Sequence, residues 1–329
     1  MMNPIQTLFS SFSKKRVLII GDVMIDSYII GKVDRVSPEA PVPVVDVIGF
    51  DQRLGGAGNV ALNIKAMGAT PILCSVVGYD KEGKELREIM MKASLTCNGL
   101  IHSDKRKTTN KTRILGNNHQ LLRIDHEITN DLDVVDTFLL EQRFTEELEN
   151  CDVVIFEDYN KGVLHSKNIE LLIQKCVVKG IPTIVDPKKA NFLAYKNVTL
   201  FKPNLKEIKE GLKIETDLSE QSNLNDAISQ LMSSLNNEFT LVTLSERGVV
   251  ITGKSETHHI PAHIRTIADV SGAGDSVVSV AALCLSANTD AKTLAELSNL
   301  AGGLVCEITG VVPINKEQLL AEAIKVLGK

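Results

Sequence analysis

Asp269-Val-Ser-Gly-Ala-Gly-Asp275 joins an anion-binding turn to a candidate base in one short stretch. Gly272 and Gly274 permit a turn that bulkier residues would strain, and they expose consecutive backbone N–H groups. The apolar run Ser276 to Leu285 reads as a buried helix, while Arg265 to Ala268 on the other side reads as a weak strand. The helix adds unpaired N-terminal donors and a positive dipole end, and Ala273, Gly274 and Asp275 supply the first of those N–H groups. Such a turn can hold the phosphoryl group of a nucleotide. Asp275 at its mouth is placed to take a proton from an attacking hydroxyl. A glycine turn merely capped by Asp275 is the plainer alternative.

Two other glycine stretches imitate nucleotide motifs. Gly248-Val-Val-Ile-Thr-Gly253-Lys254-Ser255 matches the P-loop pattern, but Val-Val-Ile-Thr is β-prone and no helix start follows. It is expected to be a hairpin turning at Gly253-Lys254. Gly56-Ala-Gly58-Asn-Val-Ala61, with Asp80 beyond it, matches the dinucleotide fingerprint and leaves an NAD-dependent dehydrogenase as a remote alternative. That fingerprint wants its glycines directly after a strand, and Ile48 to Leu54 reads as intervening loop. It would also leave Asp275 without a task.

The elements that must position these residues alternate. Arg16 to Gly21, Pro71 to Gly78, Val153 to Phe156, Thr183 to Val185 and Thr240 to Leu244 read as short buried strands. Helices are expected over Gly58 to Gly68, Lys81 to Ala93, Ser166 to Lys179 and Leu205 to Leu212. Pro41 and Pro43 mark Val42 to Val47 as an edge or lid strand. Leu95 to Asp125 is polar and Lys/Arg-rich, an excursion from the main fold. The pattern predicts an α/β three-layer fold, a mostly parallel sheet with helices on both faces and a small β-lid from about 27–50 and 98–125. No linker or internal repeat divides the chain, so one domain over 1–329 is expected.

Length (329 residues), 43% apolar and 23% charged residues are ordinary globular values, with ample core. A net charge of −5, with no basic tail, gives nucleic acid no foothold as a partner. The first residues lack a signal-peptide pattern and no apolar run reaches a membrane span, so a cytoplasmic protein without a membrane partner is expected. The six scattered cysteines form no C-x-x-C pair and read as reduced core residues.

Taken together, the Gly55-Gly-Ala-Gly-Asn59 loop and the Asp269–Asp275 turn resemble the two signature regions of the ribokinase-like (PfkB) carbohydrate kinases. The resemblance runs over nearly the whole chain in the same element order. It implies a phosphotransferase using ATP and Mg²⁺, with a monovalent cation as a further requirement, and a homodimer formed through lid strands. Arg35-Val-Ser-Pro-Glu-Ala-Pro-Val-Pro-Val44, Gln120-Leu-Leu-Arg-Ile-Asp125, Asp158-Tyr-Asn-Lys-Gly162 and Asp186-Pro-Lys188 resemble the branch that phosphorylates a heptose 7-phosphate at its anomeric hydroxyl. Kinases of fructose phosphates or ribose are the near alternatives. Members of that branch often carry a C-terminal nucleotidylyltransferase, and no His-x-Gly-His motif follows here, so a kinase without that domain is expected.

The resemblance also distributes roles. Asp26, Gly55, Gly56 and Asn59 would meet the sugar, although Asp26 and Asn59 would also serve as helix or turn caps. Lys111, Arg113 and Arg123, with Arg35 as a weaker candidate, could clamp a sugar phosphate, or form a solvated charged face. Glu157, Asp158 and Lys161 sit at the carboxyl end of a strand, where open α/β sheets bind ligands, or form a salt-bridged loop. Asn204 and Glu207 match an N-x-x-E motif acting on Mg²⁺ through water and on the phosphates, or else a capped helix start. Thr243, Ser245 and Gly248 resemble a nucleotide-binding loop, and Asn299 beside Ala301, Gly302 and Gly303 would lie near the adenine.

Overall fold

The computed structural model describes residues 3–117 and 119–327. β1 (Arg16–Gly21) is the pivot of the central sheet, and its side chains alternate between two cores. Val17 and Ile19 enter one core, Leu18 and Ile20 the other. This is the two-residue period of a strand covered on both faces. β2 (Val23–Val36) and β3 (Pro43–Gly56) then leave as a long antiparallel hairpin, and Gly56 passes directly into the helix Ala57–Ala66. β4 (Thr70–Gly78), the helix Lys81–Lys92 and β5 (Leu100–Ser103) return to the central sheet. β6 (Thr109–Gly116) and β7 (His119–His126) rejoin the hairpin in a lid sheet of order β3-β2-β6-β7.

From β8 (Val153–Glu157) the chain builds outward on the other side of β1 through β9 (Thr183–Asp186), β10 (Leu200–Phe201) and β11 (Phe239–Thr243). The antiparallel pair β12 (Val249–Thr252) and β13 (Thr257–Ile260) closes that edge. The order β13-β12-β11-β10-β9-β8-β1-β4-β5 puts a topological switch point between β1 and β8. Ligands of open α/β sheets bind outside the carboxyl ends of the strands at such a point. Helices Ala57–Ala66, Ala273–Ser286 and Ala291–Val305 pack on one face, and Val134–Leu148, Ser166–Lys179 and Gln221–Leu235 on the other.

Several expectations shift. Leu100–Ser103 belongs to the central sheet, so the second lid segment starts at Thr109, and the first spans Val23 to Gly56. Arg265 to Ala268 forms no strand, because its backbone is not paired to either sheet. The Gly253-Lys254 turn is a hairpin, as the β-prone residues before it require. The stated reason against the dinucleotide fingerprint fails, since Gly56 does directly follow a strand. That strand lies in the lid rather than the parallel sheet, so the glycines do not open a βαβ unit. Edge placement of β3 agrees with Pro43 at its start.

Candidate active site

Three carboxylates converge at the switch point. Glu157 ends β8, Asp186 ends β9, and Asp275 lies in the first turn of the helix Ala273–Ser286. One oxygen from each lies within 4.8 Å of the others, and all three are buried. Neither oxygen of Glu157 has a hydrogen-bond partner among the described residues. Burial first, then the Asp186 and Asp275 carboxylates, pushes the Glu157 carboxyl well above its ordinary range. Burial works the same way on Asp186, yet Lys188 and Lys202 outweigh it and hold that carboxyl low.

Asp275 accepts hydrogen bonds from Asn59 Nδ2 at 2.6 Å and from the Tyr159 hydroxyl at 2.9 Å. Burial raises its pKa to about 6 against those two bonds. A base with a pKa near the working pH combines the ionised form with useful proton affinity. Gly272 caps the helix with φ 80°, the left-handed region where a side chain would be strained. Asp269 braces the turn by accepting from the N–H groups of Ser271 (3.0 Å) and Gly310 (2.9 Å). Ala273 N–H is used inside the turn, on Val270 O at 3.3 Å. Gly274 and Asp275 are then the next donors at the helix mouth. A Cβ on Gly274 would sit 3.5 Å from Asp186 Oδ2 and 3.8 Å from Lys202 Nζ. The glycine keeps clear the space between the turn, a carboxylate and an ammonium.

Lys202 is bound to Asp186 at 3.0 Å and is nearly inaccessible. Lys188 reaches Glu207 Oε1 at 2.8 Å and Asp186 Oδ1 at 3.5 Å, and lies 5.2 Å from the centre of the Tyr159 ring. Asp22, just past β1, accepts from the N–H groups of Tyr159, Lys161 and Val163, while its own carbonyl accepts from Ala57 N–H. It thereby fixes both the Tyr159 loop and the start of the Asn59 helix. Burial, with Asp158 nearby, lifts Asp22 to about 6.

The lid has two chemically distinct faces. Register places Arg53, Asp26, Lys111 and Asp125 in one cross-strand row and Asp51, Tyr28, Arg113 and Arg123 in the next row of the same face. Phe50, Ile29, Ile114 and Leu122 form a row on the opposite face. The charged face points towards the switch point: Arg53 donates to Val311 O, and Lys161 binds Glu127 at 2.6 Å beside Lys111.

The model of the pfkB family carbohydrate kinases matches residues 14–318. The chain belongs to the pfkB family of carbohydrate kinases. Proteins named bifunctional protein HldE are similar over almost all of this kinase: 38% identity over 95% of the chain in Desulfatibacillum aliphaticivorans and 39% over 94% in Coxiella burnetii. The chain spans 64% of the length of each. Among solved structures, Escherichia coli phosphofructokinase-2 in complex with potassium superposes with a TM-score of 0.79 at 18% identity, covering 96% of this chain and 99% of that one. A ribokinase of Arabidopsis thaliana complexed with ribose and ATP gives 0.73 at 14% identity, covering 93% and 98%. These likenesses establish the ribokinase-like fold.

In this carbohydrate kinase the sequence-derived residues divide into those gathered at the site and those used elsewhere. Gly55 is packed so closely that a Cβ would come within 2.2 Å of Asp26 Oδ2, and Gly56 has φ 57°. Asp26 is bound by Arg113. Lys111 lies near Asp125 and Glu127, and Arg123 forks onto Asp125 in its own strand at 2.8 and 3.0 Å. Asn59 is not the N-cap, which is Gly56; it lies in the first turn of that helix and donates one amide N–H to Asp275. Asp158 points away from the site, because the strand alternation that turns Glu157 inwards turns its neighbour to the opposite core. There it binds Tyr195 at 2.7 Å and Asn191 at 3.1 Å. Glu207 has both oxygens occupied, by Lys188 and by the Asn204 N–H, while Asn204 Oδ1 caps the Glu207 N–H. The expected Mg²⁺ donors therefore form a capping box.

Thr243 is bridged to Asn204, which brings the end of β11 beside that loop. Ser245 is exposed in the turn Ser245–Arg247, with φ 54°. Gly248 has φ 89° and no room for a Cβ against Ile260 O, so it serves the strand turn. Asn299 donates to Pro261 O at 2.8 Å. Arg35 lies at the exposed hairpin tip, 3.6 Å from Asp46. Sequence reasoning singled out Glu157 with Asp158 but assigned no site role to Tyr159, Asp186, Lys188 or Lys202 individually. A charged residue at a buried strand's carboxyl end, the signal that marked Glu157, was also available for Asp186.

Proposed function

We propose that this kinase transfers the γ-phosphoryl group of ATP to the anomeric C1 hydroxyl of a heptose 7-phosphate. The observation that supports a phosphorylated sugar as acceptor is the lid's charged face, where Lys111, Arg113 and Arg123 lie on neighbouring cross-strand rows and Lys161 shares Glu127 with Lys111. Guanidinium and ammonium groups in that array suit a phosphate dianion. A heptose is favoured by the branch motifs Arg35–Val44, Gln120–Asp125, Asp158–Gly162 and Asp186–Lys188. The HldE proteins, similar over 94–95% of the chain, agree with a member of that branch.

Asp275 takes the hydroxyl proton as the sugar oxygen forms its bond to the γ-phosphorus. The bond from that phosphorus to the β,γ-bridging oxygen breaks, and ADP leaves. Asn59 and Tyr159 keep the Asp275 carboxylate aimed during this transfer. N–H groups of Gly274 and Asp275 and the buried Lys202 ammonium meet the phosphoryl oxygens. Glu157, with two unpartnered buried oxygens, and Asp186 fit a hard divalent cation. Bound there, Mg²⁺ would neutralise charge on the triphosphate. Closure of the lid excludes water, the competing acceptor.

The apolar lid row Phe50, Ile29, Ile114 and Leu122 suits burial against the same row of a second copy, giving a homodimer. A monovalent cation is carried forward from the resemblance, alongside the potassium complex of phosphofructokinase-2. An ADP-release assay comparing heptose 7-phosphate, fructose 6-phosphate, fructose 1-phosphate and ribose tests the substrate. Heptose 7-phosphate should give the highest kcat/KM, and a preference for ribose or a fructose phosphate would overturn that assignment.

A further inference from the structure

Lys188 has no task in the transfer described above, yet its position suits one. It lies two residues past the carboxyl end of β9. Its ammonium is shared among Glu207 Oε1 at 2.8 Å, Asp186 Oδ1 at 3.5 Å and Pro187 O at 3.3 Å. The same Asp186 carboxylate borders the space kept open by Gly274, so Lys188 stands one carboxylate away from the phosphoryl seat. Lys202, on the other oxygen of Asp186, has only 4% of its side chain exposed, whereas Lys188 has 28%. One ammonium is fixed in the wall and the other can move. A lysine is a compact charge on a flexible stem with three donors, suited to exchanging a carboxylate for a phosphate oxygen.

The charge balance calls for that exchange. Glu157, Asp186 and Asp275 crowd the site with acids, and a triphosphate adds further negative charge. We propose that Lys188 is a catalytic residue, leaving Glu207 when ATP binds and donating to the γ-phosphoryl oxygens as the group passes to the sugar. The bonds are those already described: sugar oxygen to γ-phosphorus forms, the bond to the bridging oxygen breaks, and the proton goes to Asp275. Lys188 keeps its own protons and supplies charge only. Glu207 is the resting partner that holds it within reach. This inference rests on the reading of Asp275 as the base of a sugar kinase, and it does not depend on which sugar phosphate is accepted.

The test compares Lys188→Met, Lys188→Gln and Lys188→Arg with the unaltered chain, using whichever sugar phosphate that chain turns over. ADP release at saturating substrates gives kcat, and calorimetry gives the affinity for ATP. The Met and Gln variants should lose about 100-fold or more in kcat, as loss of a transition-state contact does. Their ATP affinity should change by no more than about threefold, and Arg should recover at least about tenfold of the lost rate. A kcat within about threefold of the unaltered chain, or a loss confined to ATP affinity, would overturn the proposal. Should Met fail to fold, Gln and Arg decide, because both keep a polar contact to Glu207: equal rates in the two count against Lys188. An unaltered chain that phosphorylates no sugar would instead remove the parent reading.

Discussion

Tyr159→Phe isolates one hydrogen bond to the proposed base. The ring remains to pack beneath Lys188, and only the hydroxyl that reaches Asp275 at 2.9 Å is removed. Burial raises Asp275 to about 6, with Asn59 and Tyr159 pulling in the other direction. A hydrogen bond to a charged group contributes about 1.5–3 kcal/mol, and one pKa unit corresponds to about 1.4 kcal/mol. Removing the hydroxyl should therefore lift the base by about one to two units. The assay is the pH profile of kcat/KM by ADP release, from pH 5 to 9. In the unaltered chain the acid limb should bend near pH 6, leaving about a tenth of the plateau at pH 5. An ordinary carboxylate would still be more than about 90% ionised there. In Tyr159→Phe the limb should move to between about pH 7 and 8, with the high-pH plateau less affected. An unmoved limb, or one displaced to lower pH, would refute the assignment of that titration to Asp275.

Other consequences concern stability, metal and assembly. The folded-state pKa of Asp275 lies above its ordinary value of 3.8, so the folded chain binds more protons between those values and stability falls as pH rises through about 6. Asp275→Asn should therefore stabilise the fold at pH 8 by up to about 3 kcal/mol, read as a higher melting temperature, with the gain fading below about pH 4; a lower melting temperature at pH 8 would count against a strained buried carboxylate. Glu157→Gln should raise the Mg²⁺ concentration needed for half-maximal rate by about tenfold or more while folding persists, and an unchanged Mg²⁺ titration would place the metal elsewhere. Phe50→Glu should convert a dimer to monomers in sedimentation experiments, since a charge would interrupt the apolar lid row; an unaltered sedimentation coefficient would dissociate that face from assembly.

Much of the architecture was legible because strand burial leaves a strong mark. Val17 to Ile20 and Val153 to Phe156 are apolar on both alternating faces, which only a covered parallel sheet explains. The Asp269–Asp275 turn was legible for a similar reason, as its glycine and following apolar helix are adjacent in sequence. Contacts between distant segments were not. Asn59 and Tyr159 reach Asp275 from more than one hundred positions away, and no local pattern announces either bond. Glu157 and Asp158 could not be separated in the sequence, because a strand's exact end decides which of two neighbouring acids faces the site. The hairpin's length was underestimated as well: Gly49 interrupts the β-pattern of Ile48 to Leu54, while pairing with β2 carries the strand through it.

In the proposed transfer Asp275 removes the proton from the sugar hydroxyl that attacks ATP. A structure of the kinase with a non-hydrolysable ATP analogue and its sugar phosphate, lid closed, measures this directly. An Asp275 carboxylate oxygen should lie within about 3 Å of that hydroxyl, which lies in line with the γ-phosphorus. An acceptor hydroxyl bound instead to a different base, with Asp275 out of reach in the closed state, would contradict it.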